Sequence, residues 1–163
     1  MSQKKEVRSW KKVYENDLPY VVSELKEAIS NARPSMIILT GELGVGKTSF
    51  AKAFATDGTL QSPTYSVLSE TMTVAHADFY RIADVSEVIH LELGLYLESK
   101  EFFLVEWGAK YLGSLFREVD EKFTPFELVI EINSKKNAPN KDANGAEIPS
   151  RDYFLYKVDR SSY

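Results

Sequence analysis

Eight consecutive residues, GELGVGKT at positions 41–48, constrain the fold of this chain more than any other segment. They match the pattern G-x-x-x-x-G-K-[ST] of a phosphate-binding loop (P-loop), in which backbone amides, a lysine and a hydroxyl surround a polyphosphate. The pattern is informative when a buried strand precedes it and a helix follows it. Both are predicted here, because an apolar run occupies residues 36–39 and apolar residues with helical spacing follow Lys47. The sequence therefore predicts nucleotide binding.

Each residue type in this loop has a physical role. Glycines let successive amides converge on the phosphates, and the start of the following helix adds its positive end. Lys47 is expected to reach the β- and γ-phosphates, and the Thr48 hydroxyl to ligate Mg²⁺. The guanine-reading pattern Asn-Lys-x-Asp is not matched at residues 140–142, where the aspartate comes one place early, so ATP is favoured over GTP. The residues of this segment that we predict to contact the nucleotide are Gly41, Glu42, Leu43, Gly44, Val45, Gly46, Lys47, Thr48 and Ser49.

Charge and composition exclude several other functions. The 20 Lys and Arg residues are outnumbered by 24 Asp and Glu residues, for a net charge of −4, whereas a protein that grips nucleic acid through its phosphates normally has a basic surplus. We therefore expect any contact with RNA to run through a partner. The absence of cysteine excludes disulfides, thiolate metal sites and cysteine nucleophiles. The longest aliphatic or aromatic runs are four residues, so we expect no membrane contact and a cytoplasmic location.

The order of the predicted elements indicates an α/β fold. Strands alternate with helices, which predicts a three-layer P-loop NTPase-like sandwich with central parallel strands and antiparallel edge strands. Residues 1–163 are expected to form a single P-loop ATPase domain, with a mobile polar loop at residues 134–150. The predicted helices span residues 18–32 (capped by Asp17), 47–55, 85–93 and 107–115. The predicted strands span residues 9–14 at a sheet edge, 36–39, 65–70, 73–78, 102–106, 127–133 and 153–158.

The end of a second buried strand supplies an acid of the kind that fixes the metal in P-loop enzymes. Glu106 follows the apolar run at residues 102–105 and is a candidate magnesium ligand, with a solvated strand end as the alternative. Trp107 comes directly after it. This tryptophan is either a nucleotide or partner contact, or an aromatic residue of the core or its rim.

Two further segments offer catalytic candidates. Asp78 belongs to the alternating run HADFYR at residues 76–81 and is a candidate to orient the attacking water, or else holds Arg81 or a backbone amide. Thr64 lies in the turn SPTY at residues 62–65, which Pro63 makes rigid. Its hydroxyl is a candidate to sit over the γ-phosphate or the metal, and an ordinary turn without that role is the alternative.

Four separated segments agree with one known family. They are the P-loop at residues 41–48, the SPTY turn, the HADFYR run and the Glu106-Trp107 pair, and the LELG run at residues 91–94 is similar as well. In this order and approximate spacing, the set resembles the TsaE family, also called YjeE. The likeness covers residues 18–107 well and the C-terminal third loosely.

The resemblance implies the ATPase component of bacterial tRNA threonylcarbamoyladenosine synthesis. Members of the family work with TsaB and with TsaD, the subunit that transfers the threonylcarbamoyl group to adenosine 37 of tRNA. Slow, partner-stimulated hydrolysis of ATP in the presence of Mg²⁺ would reset that complex between turnovers. Contact with tRNA would be indirect, through the complex.

The resemblance also implies roles for individual residues. Trp107 resembles a residue that matters for activity or partner coupling, and Arg151 resembles a C-terminal arginine that touches the nucleotide. By position in the family motifs, the residues implied in catalysis are Asp78, Glu106, Thr64 and Lys47, and the implied magnesium ligands are Thr48 and Glu106.

Two other functions stay open on the same loop. A small-molecule kinase would need an acceptor pocket and usually an arginine-rich lid, and residues 134–150 contain three lysines and no arginine, which disfavours it. A nucleotide-gated interaction module would use ATP to shape a partner surface, and hydrolysis would then be incidental.

Overall fold

The computed structural model describes residues 4–60, 67–133, 143–145 and 148–163, and within them one sheet of seven strands. The strands are β1 (Lys4–Val13), β2 (Ser35–Thr40), β3 (Leu68–Glu70), β4 (Val74–Asp78), β5 (Phe102–Glu106), β6 (Thr124–Asn133) and β7 (Ser150–Val158). The α-helices are α1 (Leu18–Ala28), α2 (Lys47–Phe54), α3 (Val85–His90), α4 (Leu93–Leu97) and α5 (Leu112–Glu118). Short 3₁₀ helices occupy Glu15–Asp17, Ser30–Ala32, Ala109–Tyr111 and Arg160–Ser162.

The sheet is parallel at its centre and antiparallel at its edges. Neighbouring strands follow the order β1-β7-β6-β2-β5-β4-β3. The strands β6, β2, β5 and β4 run parallel, whereas β1, β7 and β3 pair antiparallel with their neighbours. All of β5 and all of β2 before its last residue are buried, as expected for strands that are covered on both faces. The predicted α/β fold, with parallel central strands and antiparallel edge strands, is confirmed.

Helices cover both faces of this central region. On one face, α1 and α2 contribute to an apolar cluster that contains Ile37 and Leu39 of β2. On the other face, α3, α4 and α5 contribute to a cluster that contains Met36 and Ile38. Because successive side chains of a strand point to opposite faces, one four-residue apolar run supplies both cores. The result is the three-layer arrangement that the element order predicts.

The first predicted helix is shorter in the structure than in the prediction. α1 ends at Ala28, and the 3₁₀ turn Ser30–Ala32 replaces its expected last residues. Asp17 does precede α1, but the prediction that it caps the helix is wrong. Its carboxylate accepts a hydrogen bond from the Tyr14 amide (3.0 Å) and none from the helix, so it stabilises the turn that leads into α1.

Two other predicted helices are interrupted or shortened at residues with a left-handed backbone. The segment 85–93 contains α3 and the first residue of α4, because Glu92 (φ 52°) interrupts the helical path. The segment 107–115 is not helical at its start, where Trp107 has φ 59°, and becomes α5 after a 3₁₀ turn. Within the described residues, none of these helices has the length and apolar character needed to cross a membrane.

The predicted strands correspond to β1–β7: β5 has the predicted ends, and the other strands have at least one shifted end. β1 is an edge strand, as expected, but starts five residues earlier than residue 9 and pairs with β7 from Lys4 onward. Residues 65 and 66, expected to begin β3, lie outside the described residues. Most of the loop expected at residues 134–150 also lies outside them, and its last residue, Ser150, is the first residue of β7.

The carboxylate of Asp57 ties the segment after α2 to the start of β4. It accepts hydrogen bonds from the Thr71 hydroxyl (2.7 Å), the Thr73 hydroxyl (2.7 Å) and the Thr73 amide (2.8 Å). The hydrogen bond from Thr71 lowers the pKa of Asp57, the bonds from Thr73 lower it further, and burial raises it. Together these effects bring the pKa from 3.8 to about 2. A depressed carboxyl pKa stabilises the folded state above the unfolded pKa, and this stabilisation is lost as the pH falls toward the folded pKa.

Asp57→Asn is therefore expected to lower the free energy of unfolding by about 1 kcal/mol at pH 7, a modest effect because water screens this exposed group. Near pH 2 the effect should be much smaller, because much of the carboxyl group is then protonated. Urea unfolding at several pH values between 7 and 2 measures the difference. The exposed carboxylate variant Glu98→Gln is the control and is expected to show no such trend. An Asp57→Asn effect that is as large at pH 2 as at pH 7 would contradict the assignment.

Candidate phosphate-binding site

The segment 41–46 connects the carboxyl end of β2 to the first residue of α2, so the P-loop pattern has the strand and helix context that it requires. Gly44 (φ 79°) and Gly46 (φ 110°) adopt left-handed backbone conformations that glycine tolerates without steric cost. Gly41 is needed for a different reason. A Cβ atom there would lie 2.6 Å from Val45 Cγ1 and 2.7 Å from the Ile130 carbonyl oxygen of β6. The loop therefore packs tightly against the neighbouring strand.

The amino end of α2 is open to a ligand. Its N-cap residue is Gly46, which has no side chain to accept a hydrogen bond from the first amides of the helix. The positive end of the helix therefore favours an anion at the loop. Glu42, Leu43 and Ser49 are exposed around this end, and Leu43 is 71% exposed.

Lys47, the phosphate lysine of the prediction, is directed into the loop. Its Nζ donates hydrogen bonds to the carbonyl oxygens of Gly41 (2.6 Å) and Glu42 (2.9 Å), and the residue is only 4% exposed. The ammonium also lies 4.1 Å from the centre of the Trp107 ring. Burial lowers the pKa of Lys47, while the nearby carboxylates of Glu106 and Asp78 oppose that shift.

Glu106, at the end of β5, is hydrogen-bonded to Thr48 of α2. The Thr48 hydroxyl lies 2.9 Å from each oxygen of the Glu106 carboxylate and donates to it. Glu106 is 3% exposed, which excludes the solvated strand end that the sequence left open. It ends β5 beside Leu39 of β2, so the parallel strands bring this acid next to the loop. Ligands of α/β sheets bind at this edge, where the parallel strands end.

Asp78 ends β4 directly beside Glu106 in the strand register. It is half-buried, and its Oδ1 accepts a hydrogen bond from the Tyr80 amide (3.0 Å). This is one of the two structural contacts that the sequence left open. Asp78 also lies close enough to Lys47 to raise the pKa of the lysine. Arg81 is exposed at the surface.

The ring of Trp107 lies beside the ammonium group of Lys47. Its ring packs on Tyr80, with 5.1 Å between ring centres, and Tyr80 is 55% exposed. Trp107 has a left-handed backbone (φ 59°), which is uncommon for a bulky residue. The indole is partly buried against the apolar cluster that contains Met36 and Ile38, which is the position at the rim of the core that the sequence left open, and it also contacts Lys47.

Arg151, at the start of β7, contacts the loop from the opposite side. Its Nε donates a hydrogen bond to the Val45 carbonyl oxygen, and a Cβ atom on Gly46 would lie 3.2 Å from that nitrogen. The register pairs Arg151 with Ile132 of β6 and Val13 of β1. Among the predicted residues, Thr64 and the rest of the SPTY turn lie outside the described residues.

The oxygen donors at this site fit Mg²⁺. The hydroxyl of Thr48 and the carboxylate of Glu106 are hard ligands that already face each other, and Mg²⁺ typically takes one or two protein oxygens plus phosphates and waters. In the described part of the chain, no group of three His, Asp or Glu residues could hold a metal without such help.

One contact at the site was missed by the sequence prediction. Nε2 of His76 lies 2.6 Å from Oε2 of Glu106, and both residues are at most 3% exposed. Strand alternation did place His76 on the same face of β4 as Asp78. The contact with Glu106 could not be deduced, because it depends on β4 and β5 being neighbours.

The comparisons with known proteins identify the family of this chain. The family model described as "Threonylcarbamoyl adenosine biosynthesis protein TsaE" matches residues 15–142. The chain belongs to the TsaE family. The match runs from the turn before α1 to beyond β6, and so includes the P-loop, Asp78, Glu106 and Trp107.

Three relatives carry the name tRNA threonylcarbamoyladenosine biosynthesis protein TsaE. The chain is 29% identical to the Haemophilus influenzae protein over 131 residues, which covers 71% of this chain and 82% of that one. It is 37% identical to the Bacillus subtilis protein over 89 residues (47% and 53%) and 33% identical to the Rickettsia bellii protein over 110 residues (62% and 69%). Membership in TsaE therefore places the chain in a family of tRNA threonylcarbamoyladenosine biosynthesis.

Proposed function

We propose that this chain binds and slowly hydrolyses ATP with Mg²⁺ and acts with TsaB and TsaD in the synthesis of threonylcarbamoyladenosine at adenosine 37 of tRNA. The observation that carries the proposal is the contact of the Thr48 hydroxyl, in the P-loop, with the buried carboxylate of Glu106 on the adjacent parallel strand. This pairing joins a phosphate-binding element to a metal-binding acid, as ATP hydrolysis requires.

The loop residues would bind the polyphosphate. Phosphate oxygens are stronger acceptors than the carbonyls of Gly41 and Glu42, so Lys47 would leave these oxygens for the phosphates when ATP binds. The open amides at the start of α2 would add further hydrogen bonds. This set of donors would stabilise the negative charge of the transferring phosphoryl group.

Thr48 and Glu106 would hold Mg²⁺, which supplies charge neutralisation at the β- and γ-phosphates. Asp78, beside Glu106 at the same sheet edge, would orient the attacking water. Thr64 is proposed as a switch residue from the family resemblance. Arg151 and Trp107 would complete the nucleotide site on its two sides.

The partners and location follow from the family. The relatives named above are tRNA threonylcarbamoyladenosine biosynthesis proteins, and TsaB and TsaD are the partners that the resemblance implies. Because the chain has a net charge of −4, contact with tRNA through the complex is favoured over direct binding. We also propose a cytoplasmic location, where tRNA is modified.

The experiment measures ATP hydrolysis by the purified chain alone, with TsaB, with TsaD and with both. A low rate alone that rises at least tenfold with both partners, together with threonylcarbamoyladenosine formation on tRNA, is expected. Rapid hydrolysis by the chain alone that TsaB and TsaD leave unchanged would contradict the proposal. A phosphorylated small-molecule product would instead favour the kinase function.

Arg151→Met is expected to weaken ATP binding about fivefold, because it removes a charged hydrogen bond to the loop worth about 1 kcal/mol. Isothermal titration calorimetry measures the dissociation constant. Arg160→Met is a matched control, since Arg160 also donates to backbone carbonyls, those of Val119 and Asp120, but does so away from the loop. Equal losses in both variants would contradict a role for Arg151 at the nucleotide.

A further inference from the structure

His76, which the proposed hydrolysis does not itself use, has a buried partner. Nε2 of His76 lies 2.6 Å from Glu106 Oε2, and the two residues are 2% and 3% exposed. An ionised carboxylate, the form that ligates a metal, only accepts hydrogen bonds, so in that form Nε2 of His76 is the donor. The Glu106 carboxylate is thus held from two sides, by His76 of β4 and by Thr48 of α2.

We infer that His76 is a positioning residue that orients the Glu106 carboxylate for Mg²⁺, an inference that rests on the proposed function. A buried carboxylate is stable only when its oxygens have partners, and its orientation is set by those partners. Oε2 meets both Nε2 of His76 and the Thr48 hydroxyl, whereas Oε1 meets the Thr48 hydroxyl alone, so these contacts set the rotation of the carboxylate. The hydrogen bond from Nε2 fixes that rotation before the metal arrives.

The surroundings of His76 argue against a role in packing alone. Its neighbours in β4, Ala75 and Ala77, point to the opposite face of the sheet and belong to the apolar cluster there. Val74 lies on the same face of β4 as His76, and its apolar side chain belongs to the cluster on that face. An apolar residue would suit position 76 equally well if only packing mattered. The polar ring instead meets a carboxylate that would otherwise lose a partner in a site closed to water.

The test compares His76→Leu, His76→Gln and Val74→Ala with the unchanged chain. Leucine removes the donor, whereas the glutamine amide nitrogen reaches about as far as Nε2 and restores one. Val74→Ala is the matched control, because it weakens the same strand on the same face without touching Glu106. Calorimetry measures the affinity for a non-hydrolysable ATP analogue with Mg²⁺ and with EDTA, and thermal unfolding reports the folded fraction of each variant.

In the unchanged chain and in Val74→Ala, we expect Mg²⁺ to increase analogue affinity by the same factor. In His76→Leu this factor is expected to fall about tenfold, as for other groups that orient metal ligands, with unchanged affinity in EDTA. His76→Gln is expected to recover most of the increase in analogue affinity that Mg²⁺ causes. If His76→Leu does not fold, His76→Asn, whose amide ends short of Glu106, carries the same expectation.

Two results would count against the inference in different ways. If the unchanged chain shows the Mg²⁺ effect and the leucine and asparagine variants keep it in full, His76 does not orient the carboxylate, and the proposed function stands. If the unchanged chain binds no analogue with or without Mg²⁺, the proposed function fails and the inference fails with it.

Discussion

Glu106→Gln is expected to lower the ATP hydrolysis rate in the presence of TsaB and TsaD by about 100-fold. Glutamine has the shape of glutamate and can still accept a hydrogen bond from His76, but it lacks the negative charge that Mg²⁺ needs. The affinity for ATP measured in EDTA should stay within about twofold, because the loop and Lys47 are untouched. Steady-state hydrolysis and calorimetry measure the two quantities.

Glu101→Gln is the matched control for this variant. Glu101 is an exposed glutamate immediately before β5, at the end of the strand opposite to Glu106, so its replacement should leave hydrolysis unchanged. Hydrolysis at the normal rate in Glu106→Gln would remove this residue from the magnesium site. If hydrolysis is lost but tRNA modification continues at its full level, the chain acts as a nucleotide-gated interaction module.

Lys47→Met is expected to weaken ATP binding about 100-fold, since charged hydrogen bonds to the phosphates worth about 3 kcal/mol are lost. Methionine keeps most of the apolar stem and its contact with the Trp107 ring, so the fold should be retained. Burial lowers the pKa of Lys47, so removal of the charge ends an unfavourable burial and offsets the loss of its hydrogen bonds to the loop carbonyls. Thermal unfolding is therefore expected to show unchanged or slightly increased stability.

The control for Lys47→Met is Lys52→Met, which replaces an exposed lysine of the same helix. It removes the same charge from the same element, and ATP affinity should change less than about twofold. Equal weakening in Lys52→Met and Lys47→Met would mean that net charge alone attracts the nucleotide. A Lys47→Met variant that unfolds at a much lower temperature would show that the lysine is needed for folding.

Local patterns in the sequence predict much of this site. The P-loop is contiguous, and its strand and helix can be read from apolar spacing on either side. Glu106 is predictable because it follows a buried apolar run, and Asp78 because strand alternation puts it on one face with His76 and Tyr80. In the structure, the strand of Glu106, β5, is a neighbour of β2, whereas the strand of Asp78, β4, lies one strand further out, beside β5.

The remaining contacts depend on which strands are neighbours. The bond between His76 and Glu106 needs β4 beside β5, and the approach of Arg151 to Val45 needs β7 to return antiparallel along β6. No short pattern encodes these pairings. The left-handed backbones of Glu92 and Trp107 are also unpredictable from residue type, because non-glycine residues rarely adopt them and neighbouring packing has to impose them.

The groups around the P-loop come from segments that are far apart in the chain, from Gly41 to Arg151 in the last strand. An unfolded or partly assembled chain cannot bring them together, so a nucleotide that binds here binds the native state alone. Its binding energy then adds directly to the folding equilibrium, about 2.7 kcal/mol at a ligand concentration one hundred times the dissociation constant. ATP in the cell would therefore stabilise the folded state of the entire sheet.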